Sequence, residues 1–131
     1  KQERWIKTLG RDGAKAKGIS TNPMMLSWNS NTGAAAINLA VHFGAKRIFL
    51  LGFDMNIDQN KMQHWHDLYR KGPVSDDRRK RKLPFIRHLQ GFPIIASDAK
   101  KLGVEIINVS PDSAITDFPK MSLKQVLNER R

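Results

Sequence analysis

The strongest constraint on this chain is a tandem of three elements: Asn31-Thr32-Gly33, the apolar stretch 34–43, and Arg47-Ile48-Phe49-Leu50-Leu51-Gly52-Phe53-Asp54. They read as a small polar turn, a helix, and a strand with a carboxylate just past its end. Ile37, Ala40, Val41 and Gly44 recur at helical spacing, Asn31 or Thr32 is available as N-cap, and Gly44 suits the left-handed residue that closes a helix. Residues 48–51 are apolar at every position, the pattern of a strand covered on both faces rather than one with a wet face. In open α/β sheets, ligands gather where loops leave the carboxyl ends of the strands. Asn31, Thr32, Gly33, Gly52 and the loop through Met55 are therefore the first candidates for a site.

The rest of the pattern fits the same class. Met24-Met25-Leu26-Ser27-Trp28, after Pro23, predicts a short strand. Helical spacing returns at Phe85, Leu89, Phe92, Ala96, Ala99 and Leu102, where Pro93 is expected to kink or divide the helix and Gly103 to end it. Val104-Glu105-Ile106-Ile107-Asn108-Val109 predicts a second buried strand, joined to 48–51 by a helix and hence parallel to it through a right-handed crossover. Ser110-Pro111-Asp112-Ser113 is a turn, Asp117-Phe118-Pro119 a break, and Ser122 caps a last helix through Leu127. His42 and His88 fall inside helical patterns and are read as structural.

A length of 131 residues with 40% hydrophobic content suits one compact domain spanning 1–131. Within it, 1–22 is expected to be a basic arm or loop and 52–83 a long functional or mobile loop. No apolar run approaches the roughly 18 to 20 residues of a spanning helix, so a soluble, cytoplasmic protein is expected. The absence of cysteine excludes a disulfide framework and a thiolate metal site. A start at Lys1 rather than Met suggests a processed, trimmed or partial sequence, N-terminal truncation being one of those readings. Twenty-three Lys plus Arg against 12 Asp plus Glu give a net charge of +11, which suits a polyanionic partner. Nucleic acid, a nucleotide diphosphate and an anionic membrane surface all answer that description, and net charge alone does not choose among them.

Several groups can carry chemistry. Asn31-Thr32-Gly33 at a helix start offers side-chain oxygens, backbone N–H groups and the positive end of the helix dipole, suited to phosphate or carboxylate; the same residues also serve an ordinary N-cap with close helix–strand packing. Asp54 at the strand end can accept a ribose hydroxyl, hold a cation or orient a histidine, or it can cap local N–H groups. His64-Trp65-His66 places two imidazoles on one side of an extended segment, where they can divide acid and base roles, pack in a loop, or form part of a metal set. Two histidines fall short of the three protein ligands usual in catalytic zinc, so no metal site is assigned and the cofactor is unknown. Arg78, Arg79, Lys80, Arg81 and Lys82 form a cationic run able to neutralise phosphates or simply to stay solvated.

Taken together, the segment 31–40, the segment Gly44-Ala45-Lys46-Arg47-Ile48-Phe49-Leu50-Leu51-Gly52-Phe53-Asp54-Met55, the His-Trp-His loop and residues 106–115 resemble uncharacterised bacteriophage proteins. These are similar to a wider Rossmann-like group that includes hydroxymethylpterin diphosphokinase-like proteins, flagellin-modifying Maf proteins and, distantly, bacterial lipooligosaccharide sialyltransferases. The resemblance covers about residues 29–127. It implies a Rossmann-like three-layer α/β domain with a mainly parallel sheet, located in the host cytoplasm if phage-encoded. It also implies binding of a nucleotide or nucleotide-sugar and glycosyltransferase-like chemistry. A Ser-Gly turn that contacts the donor nucleotide in the sialyltransferases maps onto Thr32-Gly33, and their general-base histidine onto His64 or His66. The chain departs from that group in lacking a glycine-rich first strand and turn, for which 10–18 is a poor substitute. A diphosphokinase-like reaction would require magnesium and several carboxylates, of which only Asp54 is well placed. The rival from another class is a non-enzymatic, basic nucleic-acid-binding or virion-assembly protein.

Overall fold

The computed structural model describes residues 9–56 and 85–128. In chain order the elements are β1 (Gly10–Arg11), β2 (Met25–Leu26), α1 (Thr32–His42), β3 (Arg47–Leu50), α2 (Phe85–Leu89), α3 (Phe92–Lys101), β4 (Glu105–Asn108) and α4 (Leu123–Asn128). This is a small α/β arrangement built on short parallel strand pairs. β1 pairs with β2, and β3 with β4 in the register Arg47↔Glu105 through Leu50↔Asn108. A bridge from Asn108 to Lys120 continues the second pair on the far side of β4, so β4 has neighbours on both edges.

The two long helices end in the same way, and that repetition sets the strand register. After α1, Gly44 takes φ +84°, its N–H bonds to Val41 O at 2.9 Å, and Ala45 N–H reaches back to Ala40 O at 3.0 Å. After α3, Gly103 takes φ +64°, bonding to Lys100 O at 3.3 Å, while Val104 N–H reaches Ala99 O at 2.9 Å. Both pairs are Schellman closures, in which a left-handed residue lets the last helical carbonyls find donors. Each delivers the chain into a strand within a few residues, and Glu105 N–H to Lys46 O at 2.9 Å starts the ladder.

Pro93 divides the predicted long helix. It lies at the start of α3, where its missing N–H costs nothing, and Gly91 stands at the junction. A Cβ on Gly91 would lie 2.9 Å from Asn29 Oδ1, so close approach of the 29 loop requires glycine there. His88 lies in α2, where burial and then the neighbouring Arg87 charge hold its imidazole below the ordinary value.

The core gathers Ala34 and Ile37 of α1, Leu50 of β3, Phe92, Ile95 and Ala99 of α3, Ile106 of β4, and Ile115 and Phe118 beyond it. Phe92 sits at its centre, edge-on to Phe53 at 6.4 Å and to Phe118 at 6.1 Å between ring centroids. Burying an aromatic of this kind is worth several kcal/mol, roughly 3–5 by truncation to alanine. Ile106 and Ile107 point to opposite faces of β4 and both are buried, so this strand is covered on both sides. β3 is covered less completely than its all-apolar run predicts: Leu50 is buried, Ile48 and Phe49 are half-buried, and Leu51 is exposed. The ladder ends with Val109 N–H to Leu50 O at 2.8 Å, and Gly52, at φ +70°, turns the chain away.

The segment read as an arm is anchored at its end. Gly18, Ile19 and Ser20 are buried, and Ile19 belongs to the core. The predicted strand around 24–28 contracts to Met25–Leu26, pairing with Gly10–Arg11. Ser122 caps α4 through a reciprocal pair: Gln125 N–H donates to Ser122 Oγ at 3.2 Å and Ser122 N–H to Gln125 Oε1 at 2.8 Å. Among the described residues no helix is long and apolar enough to cross a membrane.

Candidate functional site

The helix start at Asn31 is built by a strained turn. Asn31 N–H donates to Trp28 O at 3.1 Å, and the two residues between, Asn29 and Ser30, have φ +53° and +54°. Two positive φ angles in sequence define a type I′-like turn, which asparagine tolerates better than most residues. Asn31 is then extended, and its Oδ1 accepts Gly33 N–H at 2.8 Å and Ala34 N–H at 3.3 Å. Its side chain thus satisfies two orphan donors of α1. An incoming anion would meet the exposed Thr32 and the helix dipole rather than those two N–H groups. Gly33 faces the Phe53 ring so closely that a Cβ would lie 2.8 Å from it.

The carboxyl ends of β3 and β4 are fastened to each other. Gly52 N–H donates to Ser110 Oγ at 3.0 Å, Ser113 Oγ donates to Phe53 O, Ala114 N–H donates to Asp54 O at 2.7 Å, and Asn56 Nδ2 donates to Asp112 O at 2.6 Å. Lys120 Nζ holds the second loop by donating to Pro111 O at 3.1 Å and Ser113 O at 2.6 Å. Asp54 and Asp112 enter these contacts through their backbone carbonyls, and both residues are exposed. Met55 has φ +53° and its sulfur lies 3.8 Å from Asn31 Nδ2. Positive φ at a non-glycine residue stores strain, and here three such residues lie on the two segments that meet.

Asn31, Thr32 and Gly33 are therefore brought against 52–55 through the Gly33–Phe53 and Asn31–Met55 contacts. His64, His66, Arg78, Arg79, Lys80, Arg81 and Lys82 lie outside the described residues. Among the described residues, no group of three or more His, Asp or Glu side chains is placed to hold a metal ion.

The sequence reading missed the polar groups beneath this edge. Asn108, fully buried at the end of β4, accepts Ser110 N–H on Oδ1 at 3.0 Å, and its Nδ2 has no hydrogen-bond partner. Asp117, in the loop beyond, is pushed above its ordinary value by burial. A polar residue ending an apolar strand, as Asn108 does, was the available signal.

A second polar cluster is built from Asn29 of that same turn, Asn38 and His42 of α1, and Asp98 of α3. Asn29 Oδ1 accepts Gly18 N–H at 2.7 Å, and its Nδ2 donates to Gly18 O and Ser27 O, both at 3.0 Å. Asn38 Oδ1 accepts Ser20 N–H at 2.8 Å and Ser27 N–H at 2.9 Å, and its Nδ2 donates to Ser20 O at 3.1 Å. His42 Nε2 lies 2.8 Å from Met25 O, which assigns the proton to that nitrogen and turns it away from bonding the Asn38 amide, itself a donor. Asp98 of α3 accepts Ile19 N–H at 3.0 Å and pairs with Lys15 Nζ at 2.8 Å. Burial opposes its charge, but the Lys15 and Ile19 hydrogen bonds, with the Lys15 and Lys101 charges, outweigh it and hold the carboxyl below the ordinary range.

No protein-family model, curated protein or solved structure matches this chain.

Proposed function

We propose that this chain is a Rossmann-like, phage-associated domain that binds a nucleotide or nucleotide-sugar at the carboxyl edge of β3 and β4. The observation that carries the reading is the convergence of the α1 start, at Asn31 to Gly33, with residues 52–55 at the end of a parallel strand. That is where open α/β sheets bind ligands. Thr32 and the helix dipole would hold phosphate or ribose oxygens, and Asp54 would accept a ribose hydroxyl. In a glycosyl transfer, His64 or His66 would take the proton of the acceptor hydroxyl as its oxygen attacks the anomeric carbon. The bond from that carbon to the nucleotide breaks, and the nucleotide leaves with the electron pair. Arg78, Arg79, Lys80, Arg81 and Lys82 would offset the phosphate charge.

Isothermal titration of the protein with nucleoside mono- and diphosphates and with nucleotide-sugars tests this reading. Saturable binding of at least one of them is expected; no heat with any member of the panel would falsify it.

A further inference from the structure

Outside that crevice the described surface carries a rigidly presented aromatic with a cation on its face. Trp28 lies between Ser27 and Asn29, both essentially fully buried, yet is itself 39% exposed. Its backbone is held from both sides, with Asn29 N–H on Ala16 O at 2.9 Å and Asn31 N–H on Trp28 O at 3.1 Å. The Arg11 guanidinium carbon stands 4.2 Å from the indole centroid. Arg11 pairs with Leu26 in the β1–β2 ladder, so the short parallel pair fixes where the cation sits. Met24 and Met25, 49% and 37% exposed, precede it in the chain, Met25 in β2 and Met24 in the turn before that strand.

The charges around the ring favour an anionic partner. The Asp12 carboxylate beside Arg11 accepts from the Ser20 hydroxyl and Lys15 N–H, which hold it below its ordinary value and therefore ionised, one negative charge set against the cations Arg11, Lys15 and Lys17. Lys17 donates to the neutral Gln90 Oε1 at 2.9 Å, so that contact leaves its charge unneutralised. The whole chain carries +11. The intramolecular cation–π contact holds Arg11 on Trp28 and still leaves that residue 39% exposed. Aromatic surface with flanking cations is the chemistry of single-stranded nucleic acid recognition: unpaired bases stack on rings while arginine and lysine meet the phosphates. A duplex keeps its base faces stacked and offers this surface only phosphates.

We infer that the Arg11–Trp28 face of this basic chain binds single-stranded nucleic acid by stacking a base on Trp28. This does not rest on the nucleotide crevice, and the two readings fail separately, one in calorimetry with mononucleotides and the other in oligonucleotide binding.

Fluorescence anisotropy with a labelled oligothymidylate, at low and at physiological salt, tests it on the wild type, Trp28→Ala, Trp28→Phe and Arg11→Glu, with a hairpin duplex as comparison. Trp28→Ala should weaken binding by about tenfold, within the range of one lost base stack, and Trp28→Phe should stay within about threefold of wild type. Arg11→Glu should weaken binding and flatten its salt dependence. Arg11 is exposed on a two-residue strand, so that variant keeps the test open if the Trp28 variants fold poorly. Absence of oligonucleotide binding at low salt, duplex binding as tight as single-strand binding, or an Arg11→Glu variant indistinguishable from wild type overturns the inference.

Discussion

Two polar regions adjoin α1 and use their hydrogen bonds in opposite ways. In one, buried Asn29, Asn38 and Asp98 turn their side chains inward onto the backbone of residues 18–20 and 27. In the other, residues 52–56 and 110–114 are joined largely through backbone and serine hydroxyls, and Thr32, Asp54 and Asp112 remain exposed. The first arrangement uses its side chains to fix the chain, and they are then unavailable to a ligand. The second fixes the chain by its backbone and leaves functional groups outside. A latch and a site differ in which half of each residue makes the internal contact.

The largest test of that contrast is Asn29→Ala. It removes the partners of Gly18 N–H, Gly18 O and Ser27 O and places alanine at φ +53°. Stranded buried backbone groups and a strained residue together should cost about 4 kcal/mol in urea unfolding. A loss below about 1 kcal/mol would mean that residues 16–29 are held by burial of Ile19 rather than by the amide.

Gly33→Ala tests the seam between helix start and strand end, with a smaller effect. Alanine gains about 1 kcal/mol of helix propensity over glycine, but its Cβ would press on Phe53, which is edge-on to the core residue Phe92. Displacing that ring should outweigh the gain and leave a net loss of about 1 kcal/mol by the same unfolding measurement. A net stabilisation would show that Phe53 moves at little cost and that the seam is loosely packed.

What the sequence made legible was local or periodic. α1, the division at Pro93, the closures at Gly44 and Gly103, and the parallel pairing of β3 with β4 follow from spacing, proline and glycine within short windows. Sheet topology pointed to residues 31–33 and 52–55 as neighbours, and Gly33 meets Phe53 while Asn31 meets Met55. The latch was not legible, because its bonds join residues 11, 18 and 79 positions apart and asparagine in isolation signals only turn or cap. Within the predicted strand 24–28 only Met25–Leu26 pairs, and its partner β1 is two residues long, too short for an alternation to register. Ser110 and Ser113 read as an ordinary turn because their partners lie in a loop more than 50 positions away, and Lys120, which carried no sequence signal, is placed by the nearby Pro111 and Ser113 carbonyls.

Acid titration should separate the two regions by sign. Asp98 has a folded value below 3.8, so its charge stabilises the native state above that pH, and the contribution is lost as pH falls through the lower folded value. Asp117 has a folded value above 3.8, so the native state favours its protonated form and loses stability as pH rises from 3.8 through the folded value. Melting temperature followed across this range should therefore drop less steeply on acidification in Asp98→Asn than in wild type. Asp117→Asn should melt slightly higher than wild type at neutral pH and show no advantage in acid. The same sign for both variants would remove the electrostatic distinction between latch and edge.

The smallest effect on stability should come from the exposed groups of the edge, and it is the most informative about their use. Thr32 lies on the first turn of α1, whose Gly33 and Ala34 N–H groups already bond Asn31, and Asp54 is anchored through its carbonyl rather than its carboxylate. Thr32→Val and Asp54→Asn should each change unfolding free energy by less than about 0.5 kcal/mol, the range of surface substitutions that leave internal contacts intact. On the proposed function both should nonetheless weaken nucleotide binding about tenfold or more, because each removes a polar group assigned there to the ligand. If either variant unfolded as readily as Gly33→Ala, its side chain would belong to the scaffold. If both bound as wild type does, the strain at Asn29, Ser30 and Met55 would serve the turn and helix start alone.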